Sequence, residues 1–244
     1  DESRENLVSG FILKWVRDGI ITIREKESGA IVKKKNYDMY LDVDAKFENK
    51  QETALYKMFI HASKDGVLQT KAFQKWCSKH YKKIDDWFTK VDNVTEDSMN
   101  KNRYAKTKTI YKRLLFWNIP RDRTVWTDKA YDQCLYVWGF NNFLEDEDNM
   151  KEKAAIEVKL WDEYLIFAAV LGIADRVEKQ LKVAIPRYEE TSTYNNFPIY
   201  YYTHTFAHNS MSAASSAASA GQGGSSSFSG GGGGFSGGGG GGVR

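Results

Sequence analysis

The chain has 244 residues, with 35 Lys and Arg against 32 Asp and Glu, so its net charge of +3 does not indicate any particular partner. Aromatic residues make up 14% of the chain, which excludes disorder along its whole length. Two cysteines, Cys77 and Cys134, are too few for a disulfide framework and fit a reducing compartment. The longest apolar run, residues 164–174, is shorter than the ~20 residues that a membrane-spanning helix needs.

The N-terminal pattern predicts a helix followed by a β-hairpin. Apolar residues recur at helical spacing over residues 7–16, and Gly19 suits the position just after a helix end. The runs 20–23 and 30–32 are typical of strands and flank a turn signal. We therefore expect a winged-helix-like α+β domain over residues 1–100.

The rest of this domain is predicted to be helical. Residues 52–63 place apolar side chains on one face, and Thr70 can cap the next helix. From Phe73 to Phe88 the apolar residues follow a 3.6-residue period, which predicts one continuous helix that packs into a core. Residues 91–102 are polar and predict a loop.

Residues 101–124 are predicted to be a basic linker. They contain one acid, Asp122, and aromatic residues interleaved with eight basic ones: Lys101, Arg103, Lys106, Lys108, Lys112, Arg113, Arg121 and Arg123. Three interpretations stay open: a solvated linker, a segment that contacts anionic headgroups beside a membrane, and a groove for single-stranded nucleic acid.

A second helical unit is predicted over residues 125–190. One helix carries its apolar face on Tyr131, Cys134, Leu135 and Trp138, and a central helix follows over residues 156–171. Because Cys77 and Cys134 both fall on such apolar faces, we expect both thiols to be buried.

The last 54 residues, 191–244, are predicted to form a flexible Ser-, Ala- and Gly-rich tail. Fourteen of the 20 glycines lie between Gly221 and Gly242, and this stretch includes two Phe-Ser-polyglycine copies that begin at Phe228 and Phe235. Such a composition does not offset the entropy cost of ordering the chain.

Residues that catalysis or metal binding would need do not form a convincing pattern. His204 and His208 have the spacing of a helical metal pair, but no third ligand lies nearby in the sequence. His61 and His80 are predicted to lie at the surface or at its boundary. We therefore predict no enzyme activity, no cofactor, no metal and no catalytic residue.

Three features together resemble the C-terminal cytoplasmic region of the bacterial DUF2207 family of predicted membrane proteins. They are the motif at residues 138–144 followed by an acidic turn, the apolar motif at residues 160–174, and the Phe-Ser-polyglycine end that closes on Val243-Arg244. The resemblance covers about residues 125–244.

The resemblance implies a longer protein with a signal peptide, an extracytoplasmic β-rich domain and transmembrane helices outside this chain. It implies no activity and no site residues. Family members commonly carry a hydrophobic hairpin between the winged-helix-like part and the second motif region, and here only residues 114–117 occupy that place.

The sequence thus favours a non-catalytic interaction or assembly module at the cytoplasmic face of a bacterial membrane, with a membrane surface or other protein chains as partners. The eight basic residues of the linker are its candidate contacts. The alternative is nucleic-acid binding through the winged-helix-like part, with Lys14, Arg17 and residues 33–35 contacting phosphates. A third possibility is an enzyme whose site requires other domains.

Overall fold

The computed structural model describes residues 2–28, 34–114, 117–146, 158–184, 194 and 199–221. Most of them are helical, with two small antiparallel sheets, so the predicted α+β class with mostly α content is confirmed. The elements in chain order are α1 Glu2–Arg17, β1 Ile21–Ser28, β2 Lys34–Leu41, α2 Lys50–Ala62, β3 Val67–Gln69, α3 Thr70–Lys79, α4 Tyr81–Lys101, β4 Ala105–Leu114, β5 Trp117–Trp126, α5 Asp128–Glu145, α6 Val158–Leu171, α7 Ala174–Ala184 and α8 Ile199–Gly221.

The first sheet has three antiparallel strands in the order β1-β2-β3. Its register pairs Ile21 with Leu41 and Met39 with Leu68. Gly19 ends α1 at φ +72°, as its sequence position predicts. The second strand is described from Lys34 onwards, and the predicted run 30–32 lies outside the described residues.

A winged helix is not confirmed by this arrangement. A single helix precedes the hairpin, the third strand follows α2, and α2, α3 and α8 contribute the helices that cover α1. The predicted helix over residues 70–88 is also interrupted, because His80 leaves helical geometry at φ −119° and ψ 31°. Most of its apolar stripe is nevertheless buried as expected, from Phe73 on α3 to Phe88 on α4, while Trp76 and Tyr81 are partly buried.

The first core gathers the sheet and the helices around α1. Trp15 lies at its centre, with ring centroids 4.9 Å from Tyr56 and 5.2 Å from Phe59. The indole of Trp15 donates to the buried carboxylate of Glu52 at 3.0 Å, so its polar atom is satisfied within the apolar surroundings.

The second core is formed by α6 and α7 with the C-terminal end of α5. Helix α1 lies between the two cores: Ile12 belongs to the first and Leu13 to the second, and both are fully buried. Gly10 lets α6 approach α1 closely, because a Cβ at that position would come within 2.7 Å of Val170 Cγ2.

The prediction of flexibility over residues 191–244 is wrong for residues 199–221, which form α8. Phe206 is 1% exposed, and its ring centroid lies 5.2 Å from that of Phe73 and 5.7 Å from that of Phe59. Small Ala and Ser side chains carry the helical period here and allow close packing, which is why composition misled the prediction. Residues 222–244, with both Phe-Ser-polyglycine copies, lie outside the described residues.

The predicted basic linker and the predicted loop before it are also wrong in their local structure. Helix α4 continues through the polar residues to Lys101. Strands β4 and β5 then pair antiparallel over ten positions, from Ala105 with Trp126 to Leu114 with Trp117. The physical reason is the alternation of Thr, Ile, Tyr and Val with charged residues, which favours strands over a solvated coil.

Candidate functional site

The hairpin of β4 and β5 separates its charges onto one face. Directly paired residues of antiparallel strands share a face, and successive residues alternate. Lys106, Lys108, Arg121 and Arg123 therefore lie together, with Ile110 and Val125 between and beside them. We call these four cations the basic face.

The opposite face of the hairpin is mostly uncharged. It carries Thr107 and Thr124 as a direct pair, and Thr109 Oγ1 donates to Asp122 Oδ1 at 2.7 Å. The only acid of the segment is therefore turned away from the basic face and engaged by a hydroxyl.

Two cations of the basic face lie close enough to repel each other. Lys108 lies directly opposite Arg123, and like charges in that position are destabilising. Within the described part of the chain, none of the four cations forms an ion pair. All four are exposed, so an anionic surface can reach them at once.

The base of the hairpin is fastened to the helices on either side. Thr127 caps α5 by accepting from the Ala130 N–H, and its hydroxyl donates to the Arg103 carbonyl at 2.9 Å. Lys129 donates to the Asn102 carbonyl and lies 4.7 Å from the centroid of the Tyr104 ring. Every described side chain from 106 to 111 and from 120 to 126 is exposed, and the hairpin's described side-chain contacts with the body lie at this base.

Four predicted contacts of the basic segment are not among the four cations of the basic face, and two of them, Lys101 and Arg103, lie outside the hairpin. Lys101 ends α4, and Arg103 occupies the following turn at φ +60°. The side chains of Lys112 and Arg113 lie outside the description, as do residues 115–116 between the strands.

The predicted buried face of α5 is exposed. Tyr131 and Trp138 are each 64% exposed, Leu135 is 46% exposed, and Cys134 is exposed. We call these four residues the α5 stripe. The prediction for Cys134 is thus wrong, whereas Cys77 is fully buried, which raises the pKa of its thiol to about 12.

A polar cleft of about 400 Å³ opens between α1, α4 and α8. Arg4 pairs with Asp85 at 3.0 Å on one wall, and His208 Nδ1 lies 2.8 Å from Glu5 Oε2 on another. The first contact links α1 to α4, and the second links α8 to α1. His204 and His208 stack at 6.5 Å, and the described residues contain no cluster of three or more His, Cys, Asp or Glu that could hold a metal.

Two cations of the nucleic-acid alternative, Lys14 and Arg17, are engaged with acids of the chain. Lys14 lies 2.7 Å from Glu52 and 3.2 Å from Asp18, and Arg17 pairs with Asp18 and Glu163. Burial by itself lowers the pKa of Lys14, but its hydrogen bonds to the two carboxylates outweigh burial and raise that pKa. Lys33 and the side chains of Lys34 and Lys35 lie outside the description.

A family comparison matches residues 113–181 to the model described as "Predicted membrane protein (DUF2207) C-terminal domain". Over residues 113–181 the chain is similar to a DUF2207 C-terminal domain. The match confirms the resemblance on the motifs at 138–144 and 160–174, and it runs from the end of β4 to α7. The Phe-Ser-polyglycine end lies beyond it.

The DUF2207 match covers a little over a quarter of the chain, and the family it names consists of predicted membrane proteins. No curated protein and no solved structure matches the sequence. Among the described residues, no helix is long and apolar enough to cross a bilayer.

Proposed function

We propose that this chain is a non-catalytic module of a DUF2207 membrane protein and that it contacts an anionic lipid surface through the basic face. The observation that carries the proposal is the register of β4 and β5, which gathers Lys106, Lys108, Arg121 and Arg123 on one exposed side of a hairpin.

The electrostatic contribution to the binding free energy of this contact can be estimated. A Lys or Arg near an anionic membrane contributes about 1 kcal/mol, so four of them contribute about 4 kcal/mol, or roughly a thousandfold in binding. Because the cations are exposed, this attraction should weaken steeply with ionic strength.

Binding to an anionic surface also removes an electrostatic repulsion that destabilises the free hairpin. The opposed charges of Lys108 and Arg123 repel each other, and an isolated two-stranded ribbon is only marginally stable in water. Headgroup phosphates between the two side chains replace repulsion with attraction, so binding should order the hairpin.

The proposal assigns a side of the membrane. Anionic lipids are concentrated in the cytoplasmic leaflet, and basic residues beside membrane segments favour that side. The match to a membrane-protein domain begins at residue 113, inside this hairpin, so the contact lies where the family domain starts.

Vesicle co-sedimentation tests the proposal. We expect the chain to bind vesicles containing phosphatidylserine at low salt and to bind neutral phosphatidylcholine vesicles weakly. Changing all four residues of the basic face to Gln should reduce anionic binding by roughly 100- to 1,000-fold.

A charge-matched control is available on α2 and α3. Lys57, Lys71, Lys75 and Lys79 are exposed and lie outside the hairpin, so their fourfold change to Gln gives the same net charge. This control should bind like the parent chain. Equal losses in both variants, or binding to duplex or single-stranded DNA but not to vesicles, would contradict the proposal.

A further inference from the structure

The middle of α5 carries exposed apolar side chains on every side, not along one face. We call residues 131–139 the exposed turns of α5, and every one of them is exposed. Their large apolar side chains, each between 46% and 72% exposed, are Tyr131, Leu135, Tyr136, Val137 and Trp138. Successive residues of an α-helix lie about 100° apart around its axis, so these five leave no gap wider than about 100°. The exposed turns therefore have no continuous polar face.

This distribution argues against a contact on one side of the helix. Leu135 and Val137 lie about 160° apart around the axis, so a surface that covers one leaves the other in water. A helix that is apolar all round is normally enclosed, either inside a large protein or in a membrane. The occupant that fits the exposed turns is thus a medium that surrounds them.

The composition of the exposed turns is typical of the boundary between headgroups and hydrocarbon. Three of their five large apolar residues are Tyr or Trp, which are enriched at that boundary. A further tryptophan, Trp126, ends β5 and is 51% exposed, and α5 begins two residues later at Asp128. The aromatic side chains therefore continue from the hairpin into the helix.

The length of the uncharged stretch indicates contact with one leaflet. Residues 133–144 contain no charged side chain, and twelve helical residues span about 18 Å, against about 30 Å for the hydrocarbon core. The far end of this stretch is held by the body of the chain, because Phe143 and Leu144 pack on the second core. Only the exposed turns are free to enter lipid.

Charge in the same part of the chain favours an anionic bilayer. Residues 105–145 contain seven basic and four acidic side chains. The acids nearest the exposed turns, Asp128 and Asp132, lie in the first two turns of α5, with Lys129 between them. Thr127 joins the base of the hairpin to the start of α5, so the exposed turns follow directly on the strands that carry the basic face.

We infer that the exposed turns of α5 are immersed in the interfacial layer of a lipid bilayer, beside the basic face. The inference deepens the proposed function and rests on it for the anionic surface that the basic face selects. Interfacial helices bury apolar side chains about 5 to 10 Å deep, at the boundary of headgroups and acyl chains. Membrane binding then has an apolar component in addition to the electrostatic one that salt screens.

The thiol of Cys134 makes the immersion measurable. It lies within the exposed turns, whereas the other cysteine of the chain, Cys77, is fully buried. An environment-sensitive fluorophore coupled to Cys134 should emit at shorter wavelength on phosphatidylserine vesicles, and nitroxide-labelled lipid should quench it. The control carries the same label on Lys57→Cys with Cys134→Ser, since Lys57 is exposed on α2. Its emission should remain that of a label in water.

Tethering separates this inference from the proposed function. An N-terminal hexahistidine holds the 244-residue chain on phosphatidylcholine vesicles with a nickel-chelating lipid, whatever the basic face does. The label on Cys134 should show the same shift and quenching there. A label that stays in water on the tethered chain would overturn the immersion and leave the basic face as the contact. A shifted label, without binding of the untethered chain to phosphatidylserine vesicles, would contradict the basic face and keep the helix as the lipid-binding element.

Two substitutions on opposite sides of the helix test whether lipid surrounds it. Leu135→Gln and Val137→Gln each remove one exposed apolar side chain, and each should weaken binding to phosphatidylserine vesicles roughly tenfold. Asn142→Gln is the control, because it exchanges one exposed amide for another on the same helix and should leave binding unchanged. Circular dichroism should show that all three variants are folded. Weaker binding in only one of the first two variants, or in neither, would overturn the immersion.

Discussion

The first core and the exposed arm, which we define as residues 105–114 and 117–139, use their apolar residues in opposite ways. In the core, Trp15, Phe59 and Phe73 are fully buried. In the arm, Tyr131 and Trp138 remain 64% exposed although their spacing is just as helical. Periodicity therefore shows that a helix has an apolar face, but it does not show whether that face is covered within the same chain.

Among the changes that test this comparison, replacing a core aromatic residue should lower the free energy of unfolding most. Phe206→Ala on α8 should lower the free energy of unfolding by about 3 to 5 kcal/mol, because it opens a cavity against Phe59 and Phe73. Urea denaturation measures the change. Tyr136→Ala on the exposed arm is the control and should shift stability by less than about 0.5 kcal/mol.

The next largest effect should be a difference between the two thiols in their rate of reaction. Thiolate is the reactive form, and burial raises the pKa of Cys77 to about 12 while Cys134 is exposed. At pH 8 a disulfide reagent should modify one thiol rapidly in the folded chain and the second at least 100-fold more slowly. Cys134→Ser should remove the rapid phase; a rapid phase that survives this change would mean that the first core is open.

A smaller effect is expected where α1 meets α6. Gly10→Ala places a Cβ 2.7 Å from Val170 Cγ2. Because valine has one strongly preferred χ1 rotamer in a helix, its side chain cannot rotate easily to relieve the clash. We expect a loss of about 1 to 3 kcal/mol in urea denaturation. Unchanged stability would show that the contact between the two cores is looser than the structure describes.

The smallest expected effect is an increase in the free energy of unfolding. Gly139 lies in α5, and a Cβ there would meet nothing within 4 Å. Gly139→Ala should therefore stabilise the chain by about 0.5 to 1 kcal/mol through helix propensity. A destabilisation would indicate that a part of the chain covers this helix face in solution.

The sequence predicted the elements whose apolar residues are large. The stripe from Phe73 to Phe88, the buried Cys77 and the Gly19 helix end are all confirmed. Residues of α8 were missed because Ala207, Ser210 and Ala214 carry the buried period there, and small residues resemble a flexible tail in composition.

The hairpin was missed for a different reason. Charge dominated the interpretation of residues 101–124, although Thr107 and Thr109 already alternate with Lys106 and Lys108 in the manner of a strand. Pro120 did not argue against a strand either, since β5 pairs on one side only. The separation of charge onto one face depends on the pairing register, which composition does not contain.

Hydrogen exchange of the full chain with and without anionic vesicles tests the central claim most directly. The account predicts that amides of β4 and β5 gain protection with phosphatidylserine vesicles at low salt, while amides of α1, α3 and α8 stay unchanged. Neutral vesicles should give no such protection. Equal protection by both kinds of vesicle, or none in the hairpin, would contradict membrane contact through the basic face.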